Sequence, residues 1–221
     1  MQSWTSLSVP DYKVNVDSKV KIWDTEAQGI AEVSETEIKL YVCGITPYDA
    51  THMGHAATYI TFDLLQRLLM IQGKNVSYVQ NITDVDDPLL ERAIRDNLDW
   101  RDLATKEIEL FKDDMSALRV LPPQHYIGAV EAIPLVIKAI EKLISKEVVY
   151  KIDNDLYFDI SSDLNFGDRS HLSIDQMIEI FAHRGGDPTL VGKRNKLDCL
   201  LWRAHREGEP SWDSPFGAGR P

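Results

Sequence analysis

Between residues 38 and 82 the hydrophobic period switches twice. The run 38–42 is short and mostly apolar and closes on Cys43-Gly44, the pattern of a buried strand ending in a turn. From Gly54 to Gln72 the apolar positions are Ala57, Ile60, Leu64, Leu65, Leu68, Leu69 and Ile71. Their spacing of three and four predicts an amphipathic helix lying on a sheet, and Gly73 stops it. Residues 75–81 read as a second strand, parallel to the first because a helix intervenes. Strand, helix and strand make one right-handed crossover unit, the building block of an α/β fold.

Upstream, residues 1 to about 18 hold Pro10 among mixed polar residues and read as an extended arm, and 19–23 and 30–33 read as a hairpin around Gln28-Gly29. Downstream, Thr83 can cap a helix with Pro88 near its start, acids in its first turn and an end near 97. A second helix over 100–118 carries Leu103, Ile108, Phe111, Met115 and Leu118 on its apolar face and is broken by Pro122-Pro123. A long helix is expected over 126–145, kinked or restarted at Pro134. A hairpin follows around Asp153-Asn154-Asp155, then a helix over 173–183 capped by Ser173, a loop at 184–188 and a short strand over 197–202. From Glu207 the chain is rich in Gly, Pro and Ser and has no period.

The 221 residues suffice for one substantial core or for a domain with a large insert. Apolar content of 43% and charged content of 27% are those of a soluble globular chain. A net charge of −11 weighs against a nucleic-acid binder without excluding a local basic groove. Only Cys43 and Cys199 are present, which argues against a disulfide framework and for a reducing, cytoplasmic setting. No run approaches the ~18 apolar residues of a membrane span, and the first residues show no secretory signal.

Candidate chemistry concentrates at 41–55. A strand, a glycine turn and a helix start form an anion cradle, because free N–H groups and the helix dipole favour negative charge. His52 and His55 add side-chain donors, and Gly54 between them lets a ligand approach the backbone. Cys43 stands at the strand's C-terminal end, where open α/β sheets hold ligands, although such a cysteine by itself is a small buried hydrophobe. Asn81, Ile82 and Thr83 end the second strand, so two strand ends converge on one crevice. Thr46, Thr58, Asn81 and Thr83 equally fit turn and cap chemistry. Asp84, Asp86 and Asp87 suggest magnesium or, more simply, partners of a helix dipole. Cys199 reads as core packing, and Lys193-Arg194-Asn195-Lys196 as a solvated loop.

The stretch Tyr41-Val-Cys-Gly-Ile-Thr-Pro-Tyr-Asp-Ala-Thr-His-Met-Gly-His55 resembles the HIGH signature of class I aminoacyl-tRNA synthetases. Cys43-Gly-Ile-Thr46 narrows the likeness to the cysteine-activating branch. There, Ile45 and Pro47 resemble the mycothiol cysteine ligase family more than cysteinyl-tRNA synthetases, which usually read Cys-Gly-Pro-Thr-Val-Tyr-Asp. His183-Arg-Gly-Gly-Asp-Pro188 resembles a segment of the same ligases that usually begins with Glu.

The resemblance implies a class I synthetase-like Rossmann nucleotide-binding fold with an inserted α/β connective domain. It implies activation of L-cysteine by ATP, with magnesium, to cysteinyl-adenylate, and transfer to the amine of glucosaminyl-inositol. His52 and His55 would hold the ATP phosphates as charge builds on the α-phosphoryl group. Cys43, Gly44, Ile45, Thr46, Gly54, Thr58, Asn81, Ile82 and Thr83 would line ATP and the adenylate. Cys43 would also ligate a zinc ion that takes the substrate thiolate, since Zn²⁺ binds thiolate far better than hydroxyl and so separates cysteine from serine.

One cysteine cannot hold zinc. In the family the remaining Cys and His ligands, and the Lys-Met-Ser-Lys-Ser loop, follow the segment matched by 214–221. The chain is therefore expected to be an N-terminal piece of a longer enzyme, inactive by itself. Its expected parts are an arm and hairpin over 1–37, the first Rossmann half over 38–119, the connective insert over 120–206 and a tail over 207–221. Two other readings stay open: a piece of a cysteinyl-tRNA synthetase, with tRNA as partner, and a non-catalytic nucleotide- or protein-binding module.

Overall fold

A computed structural model describes residues 1–9 and 19–221. The arm expected over 1–18 thus lies partly outside the described residues. Trp4, within it, is a core residue. Its indole N–H donates to the Val120 carbonyl at 2.8 Å, and its ring stands edge-on to Phe111 and Tyr126.

Strands β1 (Lys21–Asp24) and β2 (Gly29–Glu32) form the expected hairpin, turned through Gln28 at φ 51°. Then come β3 (Glu37–Val42), α1 (Met53–Ile71), β4 (Asn75–Ile82), α2 (Asp87–Asp96), α3 (Trp100–Ala117), β5 (His125–Gly128) and α4 (Ala129–Ile144). Strands β3, β4 and β5 make a parallel sheet in that order, with Val42 opposite Gln80 and Gln80 opposite Tyr126.

Two expectations need correction here. Residues 125–128 are strand rather than the start of a long helix. Tyr126 and Gly128 are buried, and pairing with β4 outweighs the local helical pattern. Thr83 does not cap α2; Asp86 does, accepting from the Asp87 N–H at 2.9 Å. Asp84 instead accepts from the Val130 N–H at 2.9 Å, so the acid after β4 caps the start of α4 from a distance in sequence. Helix α4 continues through Pro134, in its second turn, where the missing N–H removes a single backbone bond.

The chain forms two compact units, one of 1–22 with 31–132 and the other of 133–221 with 23–30. The first has its core between the parallel sheet and its helices, around Val42, Tyr59, Tyr78, Ile82, Leu89 and Phe111. The second is built on an antiparallel sheet of β6 (Val149–Ile152), β7 (Asp155–Phe158), β8 (Cys199–Ala204) and β9 (Gly219–Arg220). The tail without period contributes β9, which pairs with β8. Asp198, fully buried, ties this unit together: its carboxylate accepts from Tyr150 Oη at 2.6 Å, Asn195 N at 2.8 Å and Ile160 N at 3.0 Å.

Helix α5 (Ile174–His183) has Ser173 as its cap, as expected. The segment 184–188 closes it. Gly186 N–H reaches the Phe181 carbonyl at 2.9 Å while Gly185 takes φ 84°, which is a left-handed helix stop. A Cβ on Gly186 would stand 2.5 Å from the Phe181 ring.

Candidate active site

The ends of β3 and β4 touch because residue 44 is glycine. A Cβ there would lie 1.5 Å from the Asn81 carbonyl oxygen. The Gly44 N–H donates to Asn81 Oδ1 at 2.9 Å, and the Thr83 N–H to the Ile45 carbonyl at 3.0 Å, so pairing continues past the strand ends. Asn81 Nδ2 lies 3.4 Å from Thr83 Oγ1. Ile45 and Ile82 bury their side chains in the core, leaving only their backbone for a ligand. Cys43 is exposed, not a buried hydrophobe.

Helix α1 is tied to this junction by a residue that sequence reading missed. Tyr59 Oη donates to the Cys43 carbonyl at 3.1 Å. Burial, and then the neighbouring Cys43, push the phenol far above its usual range. Its ring stands edge-on to Phe111 at 5.1 Å. The available signal was spacing: Tyr59 is four residues after His55 and shares its helix face.

At the start of α1 the two histidines do something the sequence did not suggest. His52 is the N-cap, and its Nδ1 accepts from the Gly54 N–H at 3.0 Å. His55 Nδ1 accepts from the His52 N–H at 3.2 Å, completing a reciprocal capping box. The backbone N–H groups expected to cradle an anion are thus partly used by the imidazoles. With both Nδ1 atoms accepting, the neutral rings carry their protons on Nε2, and these remain as donors. The rings stack at 4.0 Å. Burial, and then the neighbouring His52, hold the His55 pKa below its usual value. Gly54 has a steric reason to be glycine: a Cβ would stand 2.8 Å from the His52 ring. Thr58 Oγ1 donates to the Gly54 carbonyl at 3.0 Å, and Thr46 Oγ1 lies 3.5 Å from Asp86 Oδ2.

The structure therefore assembles Cys43, Gly44, Asn81 and Thr83 at one junction and His52, Gly54, His55 and Thr58 on the first turns of α1, with Tyr59 joining the two. Among the described residues no group of three or more His, Cys, Asp or Glu is placed to hold a metal ion. Cys43 offers one thiol, so the residues present do not make up a zinc centre.

Residues 29–221 match the family described as tRNA synthetases class I (C) catalytic domain. The chain belongs to that family. The α/β synthetase-like fold with its connective insert, read above from the signature, is the fold of this chain. Curated relatives named L-cysteine:1D-myo-inositol 2-amino-2-deoxy-alpha-D-glucopyranoside ligase share much of its sequence. The protein of Frankia casuarinae is 54% identical over all of this chain and 48% of its own length. That of Thermomonospora curvata is 63% identical over 83% of this chain and 44% of its own, and that of Corynebacterium diphtheriae 52% over all of it and 55% of its own. The chain spans about half the length of these relatives. The solved ternary complex of Agrobacterium radiobacter K84 agnB2 LeuRS-tRNA-LeuAMS covers 63% of this chain and 17% of its own at 20% identity and a TM-score of 0.46. No described helix is long and apolar enough to cross a membrane.

Proposed function

We propose that the chain forms one wall of the site of an ATP-dependent ligase that activates L-cysteine and passes it to the amine of glucosaminyl-inositol. The observation that carries this reading is the joined ends of β3, β4 and α1, in a chain 52–63% identical to ligases whose names give cysteine and that amino sugar. The cysteine carboxylate attacks the α-phosphorus of ATP and pyrophosphate leaves. The sugar amine then attacks the acyl carbon, an amide forms and AMP leaves. His52 and His55 donate from Nε2 to the phosphate oxygens as negative charge builds there. Gly44 and Asn81 fix the strand ends that face the adenylate, with Thr46, Thr58 and Thr83 around it. Positioning dominates the second step, since an adenylate is already a good acyl donor. Cys43 is available as one ligand to a zinc whose other ligands are not among the described residues.

The experiment is an acceptor assay on the enzyme at the relatives' full length. Cysteine-dependent exchange between ATP and pyrophosphate tests the first step. Incorporation of cysteine into glucosaminyl-inositol tests the second. Charging of tRNA with no use of glucosaminyl-inositol would overturn this reading in favour of a cysteinyl-tRNA synthetase. The 221-residue chain by itself is expected to bind ATP without detectable exchange.

A further inference from the structure

We infer that Asp114 is a positioning residue for the histidine pair, acting through Thr51. The inference deepens the reading that His52 and His55 hold phosphate and rests on it. Residues 45–51 connect β3 to α1 without regular structure, so something else must set the angle at which His52 enters the helix. Thr51, the residue before that N-cap, donates its hydroxyl to Asp114 Oδ2. Asp114 sits in the last turn of α3 and is half-buried. Among the described residues its carboxylate has no other hydrogen-bond or ion-pair partner.

Packing fixes the β3 end of the loop, where Ile45 and Pro47 are buried, but not its α1 end, where His52 and Met53 are exposed. An open cleft of about 380 Å³, lined by Thr51, His52, Met53, Asp114, Met115 and Leu118, lies beside this contact between the start of α1 and the end of α3. The Thr83 N–H to Ile45 carbonyl bond holds only the β3 end of the loop, and the side-chain ties between there and Thr51 are weaker. Thr46 to Asp86, at 3.5 Å, is at the limit of a hydrogen bond. Asp49 and Arg92 are 3.2 Å apart, but the Asp49 side chain is 60% exposed, and water screens such a pair. Because both imidazoles spend Nδ1 on the cap, the cap geometry decides where each Nε2–H points. A displacement of about 1 Å at such donors can cost up to ~100-fold in a reaction that depends on positioning.

The test uses the 221-residue chain with ¹⁵N-labelled histidine. Asp114→Ala and Thr51→Val should move the imidazole resonances of His52 and His55 in the same direction. Asp114→Asn and Thr51→Ser, which keep an acceptor and a donor, should leave them in place. ATP, titrated by calorimetry, should bind about five- to tenfold more weakly to each of the first pair, and no more weakly still to the double variant, as expected for two ends of one contact. Unmoved imidazole resonances in Asp114→Ala overturn the inference. If that variant does not fold, Thr51→Val asks the same question from the other end. Failure of the protein at its relatives' full length to bind ATP overturns the phosphate reading instead, and the resonances still decide the positioning.

Discussion

Gly44→Ala is the most severe single-atom change the site offers. The added Cβ would stand 1.5 Å from the Asn81 carbonyl oxygen and 2.7 Å from its carbon. Ordinary carbon–oxygen contact begins near ~3.3 Å, so the ends of β3 and β4 must part by nearly 2 Å. The atom in the way is backbone, in the strand between β3 and β5, and cannot swing aside as a side chain would. Parting them also breaks the Gly44 to Asn81 Oδ1 hydrogen bond and strains the Thr83 to Ile45 bond beyond it. Overpacking of a well-packed core costs about 1–3 kcal/mol, and a broken, partly buried hydrogen bond adds ~1 kcal/mol. The expected loss is therefore roughly 3 kcal/mol, a large part of the 5–15 kcal/mol typical of a domain. Urea unfolding followed by tryptophan fluorescence reports it, because Trp4 is buried in the same core. The variant should also bind ATP more weakly. A Gly44→Ala protein that loses less than ~1 kcal/mol would refute the strand-end geometry from which the site is built.

Two further outcomes follow from buried or partly buried titratable groups. Protonating His55 converts Nδ1 from acceptor to donor and breaks the cap, and its folded-state pKa is held below the ordinary 6.5. The folded state then binds fewer protons than the unfolded one. Its contribution is present above pH 6.5 and is lost as pH falls through the folded value. Urea midpoints measured from pH 7.5 to 5 should fall, and His55→Asn, which keeps an acceptor but does not titrate, should flatten the change. In the second unit, Asp198→Ala strands Tyr150 Oη and the amides of Asn195 and Ile160, and should cost about 3–5 kcal/mol by the fluorescence of the buried Trp202. Loss of under ~1 kcal/mol would show that water reaches those donors.

The α/β unit around α1 was legible because its signals are local: a run that ends at glycine, a three-and-four spacing, a stop at Gly73. What escaped reading is carried by contacts far apart in sequence. Trp4 looks like part of a polar arm, and only contacts more than a hundred residues away, to Phe111, Tyr126 and the Val120 carbonyl, make it a core residue. Residues 125–128 are strand because β4 is there to pair with. Asp84 resembles a first-turn acid of α2, yet serves α4. The segment 184–188 resembles a family motif, and sequence alone offers no physical role for it. The structure supplies one in its helix stop, in which Gly185 takes the left-handed turn and Gly186 passes against Phe181. The candidate site was legible in its residues and not in their wiring. Tyr59 and Asp114 carry no signature of their own.

The wiring explains why histidine, rather than a commoner capping residue, stands at 52 and 55. A capping box is usually Ser or Thr with Glu or Gln three residues on. That pair would close the start of α1 equally well, but a Glu would place a carboxylate where the proposed phosphate would sit. Histidine accepts with Nδ1 and still offers an N–H at Nε2, so one side chain can both cap the helix and donate to the phosphate proposed above. The two duties can be separated by exchanging the box. A protein with His52→Ser and His55→Glu should keep its stability to within ~1 kcal/mol, the scale of a cap. Its affinity for ATP should fall at least tenfold, since two donors are lost and a like charge is added. Equal ATP affinity in the exchanged protein would mean that the histidines are capping residues and nothing more. A collapse of stability would mean that the stacked rings, 4.0 Å apart, contribute packing that a Ser–Glu box cannot replace.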